Sequence, residues 1–218
     1  MEIKRFKSVS GTYVEEITGQ SRIGYAMSDN TDFYDMAEWL KNGGYRGSTI
    51  SFYDHANGNV YAPFPKQRNV LYGKPVYLKN AFWFLQGDYN RGLIKLFRYL
   101  PNEVPEVITQ LPIADVDPYN LCIIGEEVSI VSQDDDFVCY YPERFRFSRK
   151  PNEGISLIAD GKVYLSAWIE EGWDDENNRA TEEYKYYEKV IVKDFNGTVL
   201  SEMPGCLQQG PDGAWWIA

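Results

Sequence analysis

The chain has 218 residues, 44% of them hydrophobic and 16% aromatic, and a formal net charge of −10 at pH 7. That length and apolar content allow a sizeable core, and 17 Tyr, 11 Phe and 6 Trp favour pleated sheet over helix. The acidic balance, with no cluster of Lys and Arg, argues against nucleic acid as a partner, and no apolar run approaches the length of a helical membrane span.

In chain order, IKRFKSVSGTYVEEIT (residues 3–18) reads as an amphipathic hairpin. It contains no apolar signal core, so a cytoplasmic location is expected, or secretion if a signal had preceded this sequence. The next run, RIGYAMSDNTDFYDMAEW (22–39), is more apolar. Within it, TDFYDMAEWLKNGG (31–44) places Phe33, Met36, Ala37 and Leu40 at helical spacing, with Asp32 as N-cap and Gly43 as stop. The same residues also read as a strand, and the sequence leaves helix and strand open.

STISFYDHANGNVYAPF (48–64) is amphipathic, turns at Asn57-Gly58 and holds the single histidine, His55. A Ser-His-Asp or Cys-His nucleophile would need that histidine, which is expected at an exposed outer turn, so no catalytic residue is assigned. From there two kinds of hairpin alternate. The apolar kind comprises KPVYLKNAFWFLQ (74–86), NLCIIGEEVSIVSQ (120–133), ISLIADGKVYLSAW (155–168) and CLQQGPDGAWWIA (206–218). The amphipathic kind comprises IKLFRYLPNEVPEVITQL (94–111), FVCYYPERFRFS (137–148) and EKVIVKDFNGTVLSEM (188–203). Asn196-Gly197-Thr198 in the last of these matches a glycosylation sequon but reads better as a hairpin turn.

If each apolar hairpin supplies the first two strands of a four-stranded blade, blades begin near Arg22, Val70, Tyr119, Ile155 and Cys206. Intervals of 48, 49, 36 and 51 residues suit propeller repeats of about 40 to 50 residues. The expected fold is therefore all-β: one domain over residues 1–218, a five-bladed β-propeller whose last blade is closed by the N- and C-terminal strands. In that closure Trp215 and Trp216 pair with residues 3–9, covering an otherwise open edge. The alternative is a β-sandwich or an antiparallel barrel built from the same hairpins.

This alternation resembles the β-propeller superfamily, in particular small five-bladed propellers such as the tachylectin-like lectins. The resemblance covers the whole chain but is one of architecture. There is no WD dipeptide in the expected place, no kelch double-glycine series and no aspartate-box repeat, so it assigns no residue a role.

Cys122, Cys139 and Cys206 are widely spaced, lack a metal-ligand pattern and read as reduced thiols amid apolar neighbours. In four-stranded antiparallel blades, loops between the second and third strands share a face with the connections from one blade to the next. GDYN (87–90), QDDD (133–136) and EEGWDDE (170–176), together with Asp115 and Asp117, would gather eleven carboxylates on that face. The expected ligand-binding residues are Asp88, Tyr89, Asp135, Glu171 and Trp173, the acids as acceptors and the aromatics as stacking surfaces. No cofactor is implied other than a Ca²⁺ ion that such acids could hold.

Two functions follow as expectations. The first is a non-catalytic binding or interaction module for a small molecule, a glycan, a cation or a protein partner. The alternative is a carbohydrate-active hydrolase using paired carboxylates, as in glycosidases of five-bladed propeller architecture. The proposed innermost strands, NLCII and ISLIA, are apolar and do not supply that pair.

Overall fold

The computed structural model describes residues 3–218, and it is all-β but for short helical segments. Sheet I contains β1 (Glu15–Glu16), β2 (Ile23–Met27), β3 (Ile50–Asp54) and β4 (Val60–Tyr61), in that order, with helix α1 (Met36–Lys41) between β2 and β3. Sheet II contains β5 (Val70–Tyr72), β7 (Ala81–Asp88), β8 (Leu93–Tyr99) and β9 (Glu106–Pro112), and β6 (Val76–Leu78) also pairs with β7. Sheet III runs β10 (Cys122–Ile124), β11 (Ser129–Gln133), β12 (Asp136–Tyr141) and β13 (Phe145–Ser148). Sheet IV runs β14 (Glu153–Ala159), β15 (Lys162–Asp174), β16 (Arg179–Lys193) and β17 (Val199–Pro204). Finally, β18 (Leu207–Gln209) and β19 (Trp215–Ile217) form a two-stranded sheet.

All pairings of known register are antiparallel, and local turn chemistry accounts for much of that. Lys79 and Asn80 join β6 to β7 with φ of 50° and 58°, and Asp160 and Gly161 join β14 to β15 with φ of 50° and 70°. Positive φ at both central residues is the signature of a type I′ turn, whose twist matches that of the strands it joins. Between β5 and β6 the Gly73 N–H still donates to the Leu85 carbonyl at 2.9 Å, and the ladder lapses at Pro75, which has no N–H to give.

The chain divides into two compact units, one running to Ile123 and taking in Pro211–Gly213, the other comprising Ile124–Gly210 and Ala214–Ala218. In the first unit, sheets I and II share a core of Ile17, Ile23, Tyr25, Ile50, Phe52, Val70, Phe82, Phe84, Phe97 and Tyr99. The Phe52 ring lies 5.4 Å from Phe82, 6.0 Å from Phe84 and 4.9 Å from Tyr99, centroid to centroid. Arg22 grips the buried Asp54 carboxylate at 3.0 and 2.7 Å, tying β2 to the end of β3 and holding that carboxyl below its ordinary range.

The second unit buries Ile130, Phe137, Leu157, Val163, Leu165, Ala167 and Val190. Phe137 packs on Phe147 at 5.2 Å, and Phe145 stacks on Phe195 at 4.1 Å. Among the described residues, no helix is long and apolar enough to cross a membrane.

One expectation is corrected here. β19 does not pair with residues 3–9: it pairs with β18, and Cys206 and Ala218 close the hairpin by N–H to carbonyl bonds of 2.9 and 3.1 Å. The N-terminal segment instead donates from Lys7 N–H to the Gly58 carbonyl, and Phe6 packs edge-on against Tyr53 and His55. The sole apolar ring of a Lys- and Arg-rich segment thus settles on the nearest aromatic surface, the β3–β4 hairpin. For residues 31–44, where helix and strand were both open, the chain forms α1. Phe33 and Met36 are buried as that spacing implies, but Ala37 and Leu40 are exposed, because so short a helix covers its neighbours with one turn only.

Phe84 is 0% exposed and Trp216 is 62% exposed. Phe84→Ala is expected to cost about 3 to 5 kcal/mol in urea unfolding, and Trp216→Ala under about 1 kcal/mol. Equal losses would contradict the assignment of the core. Cys122 and Cys139 are free, and burial pushes both thiols up to about 11. In native protein at pH 8 both should alkylate at least about a hundredfold more slowly than in urea, and rapid labelling would contradict their burial.

Candidate functional site

Residues 28–49, between β2 and β3, leave sheet I and carry α1. The base of this excursion is closed by Ser28 and Thr49: Ser28 N–H donates to the Thr49 carbonyl and Thr49 N–H to the Ser28 hydroxyl, both at 3.0 Å. The N-cap of α1 is Asp35 rather than the expected Asp32, and the two residues close the turn that precedes the helix. The Asp32 carboxylate accepts from Asp35 N–H at 3.0 Å, and the Asp35 carboxylate accepts from Asp32 N–H at 3.2 Å. Gly43 and Gly44 end it with φ of 93° and 96°, and Gly44 N–H donates to the Trp39 carbonyl at 2.8 Å.

Sheet II holds the excursion in place. Phe33 is buried against Gly73 and Gly87; a Cβ on Gly87 would lie 2.9 Å from Leu71 and Tyr89 and 3.0 Å from Phe33, so no larger residue fits without displacing that ring. The Tyr89 hydroxyl donates to the Phe33 carbonyl at 3.0 Å. Tyr45 N–H donates to the Asn69 side-chain oxygen at 2.9 Å, Asn69 bonds onward to Asn90 at 3.1 Å, and Arg68 bonds the Gly43 carbonyl. The β2–β3 loop, the connection before β5 and the β7–β8 turn therefore meet on one face of this unit, as antiparallel four-stranded topology requires. Tyr119, from the segment after β9, joins them through an edge-on contact with Tyr34 at 5.4 Å.

Along α1 runs an open groove of about 590 Å³ lined by Asn30, Thr31, Asp35, Glu38, Trp39 and Asn42. Trp39 is 42% exposed, and its ring leans on buried Tyr45 at 5.7 Å. The Tyr45 hydroxyl donates to Asp29 at 2.6 Å, and burial first, then that carboxylate, pushes its pKa up to about 12. One wall of the groove is thus a fixed aromatic face. The others are two carboxylates, two carboxamides and a hydroxyl, all able to bond a polyol.

Of the five residues expected from sequence, Asp88 and Tyr89 lie in this unit, beneath the excursion. Asp88 is 7% exposed and bonded to Lys95 Nζ at 2.8 Å, with Arg91 Nε at 3.8 Å. It is a buried partner of a lysine rather than an open acceptor. Tyr89 is half-buried, and burial pushes its pKa up to about 12, with Asp32 adding to the shift. It holds up the groove without lining it.

Asp135, Glu171 and Trp173 belong to the other unit. Asp135 is exposed on the β11–β12 turn, and its backbone carbonyl accepts from Arg149 N–H at 3.3 Å. Glu171 and Trp173 stand two residues apart on β15. Glu171 accepts from the Tyr187 hydroxyl at 2.9 Å, and Trp173 meets Tyr184 edge-on at 6.0 Å. A second cavity of about 210 Å³ in this unit is lined by Cys139, Phe145, Ile158 and Phe195, with Glu127 and Glu143 at its margin. Among the described residues no three His, Cys, Asp or Glu side chains are grouped to hold a metal ion.

The groove residues were not singled out from sequence, although a signal was present. Once Phe33 and Met36 take the buried side of α1, Asp35, Glu38, Trp39 and Asn42 share the opposite side at three- and four-residue spacing. Compared with known proteins, the chain matches no family model, no curated protein and no solved structure.

The buried Tyr45 hydroxyl gives a pH test. An unfolded tyrosine ionises near pH 10, whereas this one stays neutral to about 12, so between those values the native state holds the extra proton. Its contribution is complete below pH 10 and falls away as pH rises towards 12. Tyr45→Phe should therefore gain on the wild type in unfolding free energy between pH 9 and pH 11, measured by urea titration; a constant difference would refute the assignment.

Proposed function

We propose that this protein is a non-catalytic binding module that takes a hydroxyl-rich ligand, a saccharide, in the groove along α1. The observation that carries the proposal is the lining: one exposed, backed tryptophan beside Asn30, Thr31, Asp35, Glu38 and Asn42 in about 590 Å³. A pyranose ring presents an apolar face of C–H groups and a rim of hydroxyls. An indole stacks on the first, and carboxylates and carboxamides bond the second. Trp39 is held by Tyr45, so little side-chain freedom remains to be lost when a ring stacks on it.

The proposal sits within a finer reading of the fold, in which the successive antiparallel meanders are blades of a small propeller presenting their loops to ligand. The repeated four-strand order of sheets I, III and IV supports that reading.

A carbohydrate hydrolase is the second reading, supported by Asp35 and Glu38 lining one groove. The two are separated by assay. A glycan array followed by titration of the best ligand should give binding that weakens at least about tenfold in Trp39→Ala and in Asp35→Asn/Glu38→Gln, with no cleavage of the bound glycan. Cleavage abolished by the amide variants would favour the hydrolase. Absence of any glycan ligand, or binding unaffected by all three changes, would remove the groove as a saccharide site.

A further inference from the structure

β15 and β16 are the longest strands of the chain, at 13 and 15 residues, and they outrun their sheet. β14 pairs with β15 only from Lys162 to Ala167, and β17 pairs with β16 only from Lys189 to Lys193. Beyond Trp168 and Glu188 the two strands continue as a ribbon whose outer edges have no neighbouring strand among the described residues. A two-stranded ribbon is marginal by itself, and its exposed backbone N–H and C=O groups are a template for another strand.

The ribbon also exposes aromatic rings. Trp168, Trp173, Tyr184 and Tyr186 are 47%, 40%, 36% and 58% exposed. Glu170 lies opposite Tyr186 and accepts from the Tyr184 hydroxyl at 2.8 Å, and the Tyr184 ring meets Trp173. Trp168, two residues before Glu170 on the same strand, projects to the same side. Four rings therefore surround one carboxylate on a single face.

Charge decides what can cover this face. Residues 168–188 carry eight carboxylates, Glu170, Glu171, Asp174, Asp175, Glu176, Glu182, Glu183 and Glu188, against two cations, Arg179 and Lys185. A second copy of so acidic a chain would be repelled, as would a nucleic acid or an anionic membrane. The two edges also differ. Opposite Gly172 the register slips, so that Glu171 faces Lys185 while Trp173 faces Ala180, and Thr181 folds its hydroxyl onto the Gly172 carbonyl at 2.7 Å. The surplus residues lie on β16 and spoil that edge for pairing, whereas the β15 edge continues the line of β14 as far as Glu171, after which Gly172, with φ of 72°, turns its carbonyl to Thr181.

We propose that the ribbon is a docking arm for a second protein, which adds a lysine- and arginine-bearing extended segment along the β15 edge at residues 169–171 and across the rings beside it. Its backbone takes up the free ladder positions, its cations meet Glu170, Glu171 and Asp174, and its side chains lie against Trp168, Trp173 and Tyr186. This arm lies apart from the α1 groove in sequence and does not depend on the saccharide proposal.

The test uses the full chain and two labelled synthetic peptides, one alternating lysine with threonine and one alternating glutamate with threonine, with binding followed by fluorescence anisotropy at low salt. The lysine peptide should bind and the glutamate peptide should not, and bound lysine peptide should slow amide exchange at residues 169–171 more than at 179–187. Trp168→Ala/Trp173→Ala leaves the charge unchanged and should weaken binding at least about tenfold. Glu170→Lys/Glu171→Lys should reverse the preference to the glutamate peptide, an outcome that misfolding cannot imitate. Equal binding of both peptides, an unaffected tryptophan variant, no reversal, or protection confined to β16 would each overturn the arm as proposed.

Discussion

Strand β7 is buried at all eight of its residues, Ala81 to Asp88, and the first unit is arranged around that fact. A strand covered on both faces cannot follow the usual alternation of inward apolar and outward polar residues. AFWFL is accordingly continuous, and the polar end of the strand must be neutralised where it lies. Asp88 meets Lys95 at 2.8 Å, and Gln86 lies 3.5 Å from the same ammonium group. Removing either partner of such a pair leaves an uncompensated buried charge, a loss of about 3 to 5 kcal/mol, although the intact pair adds little net stability. The pair therefore matters more for where β7 ends than for how firmly the sheet holds.

What covers the end of β7 is the excursion from sheet I. Phe33 reaches Gly73 and Gly87, where the absence of side chains makes room for its ring, and Tyr89 fixes the Phe33 carbonyl. This anchoring leaves α1 with one buried turn and an exposed outward side, on which the Trp39 ring leans on Tyr45. Asp35, Glu38 and Trp39 are consequently exposed, while Asp88, in the more conspicuous GDYN motif, is buried. Acidic residues close together in sequence or on one face thus divide into two roles, and burial makes the division.

In the second unit a similar pair, Lys193 and Glu153 at 2.7 Å, lies where β14 begins and β16 ends, with both side chains almost fully buried. It marks the end of the sheet at which β15 and β16 are still covered. Towards the other end the burial pattern of β15 changes at Trp168, and from there the ribbon has exposed aromatic rings where the sheet has Val163, Leu165 and Ala167.

The hairpin rhythm of this chain was legible in its sequence. Of the five strand groups expected to begin near Arg22, Val70, Tyr119, Ile155 and Cys206, four begin at Val70, Cys122, Glu153 and Leu207, whereas sheet I begins earlier, at Glu15, and the last group is a two-stranded sheet. Turn residues such as Asp160-Gly161 act through φ preferences that need no tertiary partner, and runs such as AFWFLQ declare burial by composition alone. Three matters were left to the tertiary structure. Residues 31–44 satisfied both helix and strand patterns until Phe33 found its site on sheet II. The C-terminal WWI could pair with any free edge, and it pairs with β18 across the short turn at residues 210–214. Asp88, Asp135 and Glu171 look alike as loop acids, yet one is buried against Lys95 and the others are exposed, because a carboxylate's surroundings are set by strands remote from it in the chain.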